Sequence, residues 1–205
     1  MSVESLHMKD QLAKAAFELF AEQGVRGVTL DAVSRRAGVS KGSLYWHYGS
    51  KREVILAAAS FYYRDWLFRA HAAAAATTDP LEKIRRVWRM SVDTCLFDRA
   101  RRAFSTEIFA LSLRDAEVRQ SWSQFYDSVF ELFAGLIQGA VNAGQLHVAD
   151  PRKAADWLLA MFEGVKHRAS FKSQGTTQAD REAVVEQFMD VLFALSLSAG
   201  VVAAP

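Results

Sequence analysis

Cysteine and proline are scarce in this chain of 205 residues, and its N-terminus lacks a long apolar segment. The single cysteine, Cys95, excludes an internal disulfide framework and fits a reducing compartment. The N-terminus, MSVESLHMKDQLAKAAFELF, contains no basic segment followed by an unbroken apolar run. We therefore expect no signal peptide, no membrane-spanning segment and a cytoplasmic location.

Signals for β-strands are equally sparse. No segment sustains a period-two alternation, whereas apolar residues recur at helical spacing, as at Leu12, Ala16, Leu19 and Phe20. With 51% hydrophobic residues, the chain has enough apolar surface for a folded core. We predict an all-α protein of about nine helices.

The N-terminal part of the chain is rich in helix-capping residues. Gly24 and Gly38 can end the first two helices in the left-handed conformation, and Thr29 and Ser40 can cap the second and third helices. Residues 50–53 have the S-x-x-E pattern of a capping box, which starts a fourth helix. A short turn with glycine between two short helices is typical of a helix-turn-helix.

Two Asp-Pro pairs, at 79–80 and 150–151, indicate further helix starts with Asp as the cap and Pro in the first position. We expect the fifth helix to extend from Pro80 to about Phe97. The pattern predicts an N-terminal three-helix domain over residues 1–50 and a larger helical domain over residues 51–205. The fourth helix, about residues 51–76, would connect them.

Positive charge is concentrated between Thr29 and Glu53. This stretch holds five basic and two acidic residues, and Arg26 lies just upstream, whereas the whole chain has a formal net charge of +2. A basic patch on a nearly neutral protein is typical of a surface that contacts phosphate. In a helix-turn-helix the second helix enters the major groove, which places Lys41 and Ser43 near base edges. Leu44, on the other face of this helix, would point to the core.

The sequence AEQGVRGVTLDAVSRRAGVSKGSLYWHYGSKREVIL resembles the DNA-binding domain of TetR-type transcriptional regulators, with the likeness covering roughly Leu12 to Leu56. Tyr48 stands where Phe is commoner in the family, which keeps an aromatic anchor. The Tyr-Trp-His order is similar to the AcrR-like branch, which controls multidrug efflux. The resemblance implies DNA contacts at Thr29, Ser40, Lys41, Gly42, Ser43, Tyr45, Trp46, His47 and Lys51.

Other readings of these residues stay open. Thr29 and Ser40 could act only as helix caps, and His47 could be an ordinary surface histidine. Arg35 and Arg36 could be solvated surface charges, or one of them could reach phosphate; we take Arg35 as the candidate.

The C-terminal part contains no motif for catalysis or metal binding. Its histidines form no H-x-x-x-H pair, and no P-loop, dinucleotide fingerprint or G-x-S-x-G pattern occurs. We therefore predict no catalytic residue, no metal and no cofactor. An all-α enzyme with an apolar pocket remains the alternative from another class.

Large aromatic residues are dense in the C-terminal part instead. Most should be core, but so many rings favour a cavity between helices, where TetR-type regulators bind a small effector. We predict an apolar pocket lined by Phe61, Trp66, Trp88, Phe104, Glu107, Phe125, Phe130 and Trp157. Glu107 would either balance a cationic ligand or form a salt bridge to a neighbouring helix.

The last two predicted helices are apolar over broad faces, which need cover. Burial within the chain is one explanation, and a two-fold interface of four helices, as in the family, is the one we favour. The predicted interface consists of Leu158, Met161, Phe162, Val165, Val185, Phe188, Met189 and Leu192.

The sequence thus predicts a nucleoid-associated homodimeric repressor that a small effector releases from a palindromic operator of double-stranded DNA. A ligand-dependent activator or a co-repressed regulator of the same fold is the alternative, because the sequence does not fix the sign of the response. An architectural DNA-binding protein without an effector is a further one.

Overall fold

The computed structural model describes the backbone of residues 3–172 and 177–201, and the side chains of residues 7–172 and 177–196. This part of the chain is helical and contains no strand, so the predicted all-α class is confirmed. The α-helices are α1 (Val3–Gln23), α2 (Leu30–Arg36), α3 (Lys41–His47), α4 (Lys51–Ala75), α5 (Pro80–Ser91), α6 (Arg99–Ser112), α7 (Ala116–Asn142), α8 (Pro151–Ala169) and α9 (Gln178–Val201).

The Asp-Pro pairs start helices as predicted. Asp79 accepts a hydrogen bond of 2.8 Å from the backbone N–H of Glu82, and Asp150 accepts hydrogen bonds of 3.1 Å from Arg152 and Lys153. In both helices proline follows the cap, where its missing N–H removes no helical hydrogen bond.

The fifth helix differs from the prediction. The α-helix ends at Ser91 and continues as a π-helical segment over Val92–Phe97. The hydroxyl groups of Ser91 and Thr94 donate to the carbonyl oxygens of Val87 and Met90, at 2.8 and 2.7 Å. Side-chain periodicity does not distinguish this widened turn from an α-helix, because both repeat close to every four residues.

The chain divides into two compact units. The first contains the residues up to Trp66 together with Ala100–Phe125, so α6 and the start of α7 pack with the N-terminal helices. Its core is continuous from the helix-turn-helix to α6. Fully buried members include Leu12, Phe20, Val33, Leu44 and Phe104.

The second unit contains Leu67–Arg99 and the residues from Tyr126 onward. Its core is built on Trp88, whose ring lies 4.3 Å from the ring of Phe133 and 4.6 Å from the ring of Phe188. None of the described helices is long and apolar enough to cross a membrane.

Six of the eight residues predicted at a dimer interface are buried in the core of this second unit. The prediction is corrected for these six, because their side chains pack within their own chain: Leu158, Phe162, Val185, Phe188, Met189 and Leu192. Met161 and Val165 are half-buried.

Candidate nucleic-acid interface

The helix-turn-helix forms through local capping. The hydroxyl oxygen of Thr29 accepts a hydrogen bond of 3.2 Å from the N–H of Ala32, and that of Ser40 accepts one of 3.1 Å from Ser43. Between α2 and α3, Gly38 adopts a φ of +67°, a conformation that costs glycine little and other residues more. These three residues fix the start of α2, the turn and the start of α3.

Helix α3 has one buried face and one exposed face. Leu44 is fully buried, and the hydroxyl group of Tyr48, just after the helix, donates a hydrogen bond of 3.2 Å to the carbonyl oxygen of Lys9. On the opposite face Tyr45 is 46% exposed and Trp46 is 76% exposed. Because two large aromatic side chains lie exposed next to each other, this face of α3 is available to a partner.

The other residues predicted to contact DNA are all at least partly exposed. Thr29, Arg35, Ser40, Lys41 and Gly42 are exposed, whereas Ser43, His47 and Lys51 are half-buried. A side chain at Gly42 would approach only the hydroxyl oxygen of Ser40, at 3.8 Å, so the backbone here is open from outside. The ten predicted residues lie on α3 and at its cap, at the two ends of α2 and at the start of α4.

Much of the positive charge in this region is already paired. Lys41 forms an ion pair of 2.9 Å with Asp31, and this hydrogen-bonded contact raises the pKa of Lys41. Arg36 forms a two-pronged contact with Glu22, at 2.8 and 3.1 Å. In the described part of the chain Arg35 has no ion-pair partner, which favours Arg35 over Arg36 as a phosphate contact.

Helix α4 begins at the predicted capping box. The hydroxyl oxygen of Ser50 accepts a hydrogen bond of 3.2 Å from the N–H of Glu53, whose carboxylate accepts one of 3.1 Å from Gly49. In the first turn of α4, Arg52 donates two hydrogen bonds of 2.6 Å to Asp115. Asp115 also caps α7, since it accepts from Glu117 at 3.0 Å.

Glu107 of α6 makes a second contact with the N-terminal helices. Its carboxylate accepts a hydrogen bond of 2.6 Å from the N–H of Val25, in the turn between α1 and α2. A side chain at Gly24 would come within 2.9 Å of the same carboxylate, so glycine permits this approach. The predicted alternatives for Glu107 were a salt bridge or a ligand contact, and the partner found here is a backbone amide. Sequence reasoning missed this contact.

Four of the predicted pocket residues meet in the first unit. They belong to an aromatic cluster that we define as Phe17, Phe61, Tyr62, Tyr63, Trp66, Phe104 and Phe125. The ring of Tyr63 stacks on that of Phe125 at 4.4 Å, and the ring of Phe17 meets that of Phe104 edge-on at 5.0 Å. Burial raises the pKa of Tyr63.

The other three aromatic residues of the predicted pocket lie in the second unit. Trp88 is fully buried, and its indole Nε1 has no hydrogen-bond partner among the described residues. The guanidinium of Arg152 lies 4.7 Å from the ring centre of Phe130. Trp157 is 69% exposed, because it lies on the outer side of α8 while its neighbour Leu158 faces the core.

Two cavities involve predicted residues. One, of about 230 Å³, is lined by Trp157 and Leu195 among others in the second unit. The other, of about 410 Å³ in the first unit, is lined by Val25, Arg26, Glu107, Ala110, Leu111, Leu113 and Arg114. Within the described residues no group of His, Cys, Asp and Glu has the arrangement of a metal site.

The outer faces of the last two helices carry both charged and small or apolar residues, with Lys153, Asp156 and Arg168 exposed on α8 and Glu186 and Asp190 exposed on α9. On α8, Trp157, Ala160 and Gly164 are exposed at helical spacing, and on α9 Ala183 and Ala194 are exposed. These faces point away from the core of the second unit.

Comparison with known proteins agrees with this architecture. A family model described as bacterial regulatory proteins of the tetR family matches residues 12–58, and one described as the C-terminal part of BetI-type transcriptional repressors matches residues 80–194. The first match covers the capped helix-turn-helix, and the second covers more than half of the chain.

Individual relatives differ in how much of this chain and of their own length the match covers. The chain is 41% identical over 56 residues to the regulator TtgW of Pseudomonas putida, a match that spans 27% of this chain and 42% of that relative. It is 28% identical over 174 residues to the regulator TtgR of the same species, spanning 80% of this chain and 81% of TtgR.

A solved structure shares the fold. The crystal structure of a transcriptional regulator from Saccharomonospora viridis in complex with choline has a TM-score of 0.79 at 18% identity, covering 90% of this chain and 96% of that one. The family models, the regulators matched in sequence and the helical architecture lead to one conclusion: this chain belongs to the TetR family of bacterial regulatory proteins, which bind DNA and regulate transcription rather than catalyse reactions.

Proposed function

We propose that this protein is a homodimeric repressor that leaves a palindromic operator when a small, largely apolar effector binds. The observation that carries the proposal is the two-faced α3, in which buried Leu44 anchors a helix that exposes Lys41, Tyr45 and Trp46. A helix held in this way fits the major groove of B-DNA. As a DNA-binding regulator, the protein would act at the nucleoid.

The N-termini of α2, α3 and α4 would hold phosphates. Thr29 and Ser40 use an oxygen lone pair to cap their helices, which leaves each hydroxyl proton free to be donated to a phosphate oxygen. Capping and DNA contact are therefore compatible roles for these residues. Lys51 and Tyr45 would add further phosphate contacts, and the dipole of each helix supports an anion at its N-terminus.

Base recognition would fall to the first turn of α3. Gly42 leaves the backbone open to close approach, and Lys41 and Ser43 flank it. Lys41 must exchange its ion pair with Asp31 for an acceptor on DNA. The exposed ring of Trp46 offers an apolar edge that suits a thymine methyl group.

The dimer would form through the outer faces of α8 and α9. Exposed Ala160 and Gly164 allow a partner helix to approach closely, and Trp157 supplies a large apolar contact. Two copies would then form a four-helix interface with two-fold symmetry. Such a dimer presents two α3 helices to half-sites that lie about 34 Å apart, one turn of B-DNA.

The effector would bind against the aromatic cluster of the first unit, with Phe61, Trp66, Phe104 and Phe125 as the contacts. Ring faces suit apolar molecules and also quaternary ammonium groups, such as that of the choline bound by the S. viridis regulator. Trp88, Phe130 and Trp157, which belong to the second unit, remain predicted effector contacts from the sequence alone.

Binding of the effector releases DNA only if it has higher affinity for a state that binds the operator poorly. The reverse preference would make the protein a ligand-dependent activator or a co-repressed regulator. Measuring operator affinity with and without a bound effector shows whether the effector weakens or strengthens DNA binding.

DNA binding can be tested by fluorescence anisotropy with the DNA upstream of the protein's own gene, at a stated salt concentration. Tyr45→Ala and Lys51→Ala should each weaken specific binding by about tenfold or more. Phe68→Ala, which removes an exposed ring on α4, is the matched control and should leave binding unchanged. If Tyr45→Ala and Lys51→Ala bind the operator as wild type does, the contact assignment fails.

Effector binding can be tested with choline and with uncharged aromatic compounds, scored by release of operator DNA. Phe61→Ala removes a half-buried ring of the aromatic cluster and should reduce the response without unfolding the unit. If every response survives this change and Phe125→Ala, the effector does not bind at the aromatic cluster.

A further inference from the structure

The cavity of about 410 Å³ in the first unit lies where the α1–α2 turn meets the end of α6. Its apolar wall consists of Val25, Ala110, Leu111 and Leu113, of which Leu113 is 63% exposed. A volume of this size falls within the usual range for small-molecule sites, about 300–1,000 Å³. The cavity lies outside the aromatic cluster, to which none of its lining residues belongs.

Two arginines give this cavity its charge. Arg26 comes from the α1–α2 turn and Arg114 from the residues after α6, and both line the cavity. Over residues 7–172 and 177–196, neither guanidinium has a hydrogen-bond or ion-pair partner. By contrast, Arg36 and Arg52, in the same unit, are each bound to a carboxylate.

One carboxylate also lines the cavity, that of Glu107. One of its oxygens already accepts the hydrogen bond of 2.6 Å from the N–H of Val25. The two guanidinium groups carry two positive charges and the carboxylate of Glu107 carries one negative charge, so the residues that line the cavity have a net charge of +1. An anion that enters therefore finds two planar guanidinium groups without partners and an apolar wall.

We propose that this cavity binds a small amphipathic carboxylate, with its head group on Arg26 and Arg114 and a medium-length acyl or aryl chain on Ala110, Leu111 and Leu113. A guanidinium binds a carboxylate through two parallel hydrogen bonds, a geometry that a lone lysine does not offer. The apolar wall then selects against small hydrophilic anions. This site is separate from the proposed effector site and does not depend on DNA binding.

Decanoate is the probe, and isothermal titration calorimetry on the full chain is the measurement. We expect one molecule bound per chain with a Kd on the order of 10–100 µM. Arg114→Ala should weaken binding at least tenfold, and Ala110→Trp, which fills the cavity from an exposed position, should abolish it. Decyltrimethylammonium, with the same chain and the opposite charge, should not displace decanoate.

Arg168→Ala is the matched control, since it removes one exposed arginine of α8 that has no described ion-pair partner and does not line the cavity. It should bind decanoate as wild type does. The proposal is overturned if decanoate shows no binding at about 1 mM, or if binding persists unchanged in Arg114→Ala and Ala110→Trp. It is also overturned if Arg114→Ala leaves decanoate binding unaffected but lowers both the affinity for the operator and the salt dependence of that affinity. Arg114 would then contact a DNA phosphate.

Discussion

The guanidinium of Arg52 donates two hydrogen bonds of 2.6 Å to the carboxylate of Asp115, 63 residues away in the sequence. Arg52 lies in the first turn of α4, directly after the helix-turn-helix, and Asp115 lies in the corner between α6 and α7. The contact between Glu107 and Val25 joins α6 to the turn before α2. Two hydrogen-bonded contacts thus tie the DNA-binding helices to the α6 region within the first unit.

The Arg52–Asp115 pair predicts an acid-sensitive component of stability. The hydrogen bonds from Arg52, followed by those from the backbone of α7, lower the pKa of Asp115 from 3.8 to about 2. A carboxyl with a lowered pKa in the folded state stabilises that state fully above about pH 4, and the contribution is lost as pH falls towards 2. Thermal unfolding followed by circular dichroism should therefore show the largest difference between wild type and Asp115→Asn above pH 4, with a smaller difference towards pH 2.

Asparagine also caps helices well, so Asp115→Asn removes the charge and preserves the cap of α7. In the background of Arg52→Gln, the same substitution should have a smaller pH-dependent effect, because only the backbone hydrogen bonds of α7 then still lower the pKa of Asp115. A difference that stays constant from pH 6 to about pH 2 would contradict the assigned role of the pair.

Removing the partner of Lys41 should strengthen DNA binding. In the free protein Lys41 is held by Asp31 at 2.9 Å, and the carboxylate also repels the phosphate backbone. We expect Asp31→Asn to tighten operator binding by about threefold to tenfold at low salt, with a smaller gain at high salt. Anisotropy titrations over a salt series measure both effects. Asp31→Glu keeps the charge and should bind the operator as wild type does. If Asp31→Asn binds the operator no more tightly than wild type, the ion pair between Lys41 and Asp31 does not limit DNA binding.

Leu44 and Tyr45 are neighbours with opposite expected effects. Leu44 is fully buried, so Leu44→Ala should lower the free energy of unfolding by about 2–5 kcal/mol through lost burial and a residual cavity. Tyr45 is on the exposed face, so Tyr45→Ala should change stability by less than about 0.5 kcal/mol while weakening operator binding. Urea unfolding at fixed protein concentration measures the free energy of unfolding of each variant and so distinguishes the two effects. If Tyr45→Ala destabilises the fold as much as Leu44→Ala, the division of α3 into two faces is incorrect.

Features that depend on neighbouring residues could be predicted from the sequence. Helix α3 starts directly after its predicted cap, Ser40. The predicted serine cap forms at Ser50, although the carboxylate of Glu53 accepts from the N–H of Gly49 instead of that of Ser50, and α5 and α8 start at their Asp-Pro pairs. Each of these depends on hydrogen bonds across three or four residues, so the local pattern contains the required information.

Features that depend on packing between distant segments could not be predicted. Glu107 and Val25 are 82 residues apart, and no local pattern marks them as partners. Trp157 and Leu158 are adjacent on an apolar helix, yet one is exposed and the other buried. The sequence shows that α8 has two apolar sides, but only its rotation against the core decides which of them is left for a partner.

That rotation leads to a prediction about assembly. If the outer faces of α8 and α9 form the dimer interface, a charged residue in place of an exposed small one should disrupt it. Gly164→Arg should convert the dimer to a monomer at micromolar concentration, because the long side chain keeps the partner helix apart and its charge would be buried without a partner. Sedimentation velocity gives the oligomeric state, and circular dichroism checks that the helices remain.

Operator binding supplies the functional measurement of the same change. A monomer contacts one half-site, so Gly164→Arg should lose the gain that comes from two linked half-sites, about 100-fold or more in affinity. Phe68→Arg is the control, since Phe68 on α4 is 75% exposed, similar to Trp157, and lies outside α8 and α9. It should leave both the dimer and the affinity intact. If Phe68→Arg dissociates the protein and Gly164→Arg does not, the partner face is on α4, and the assignment to α8 and α9 fails.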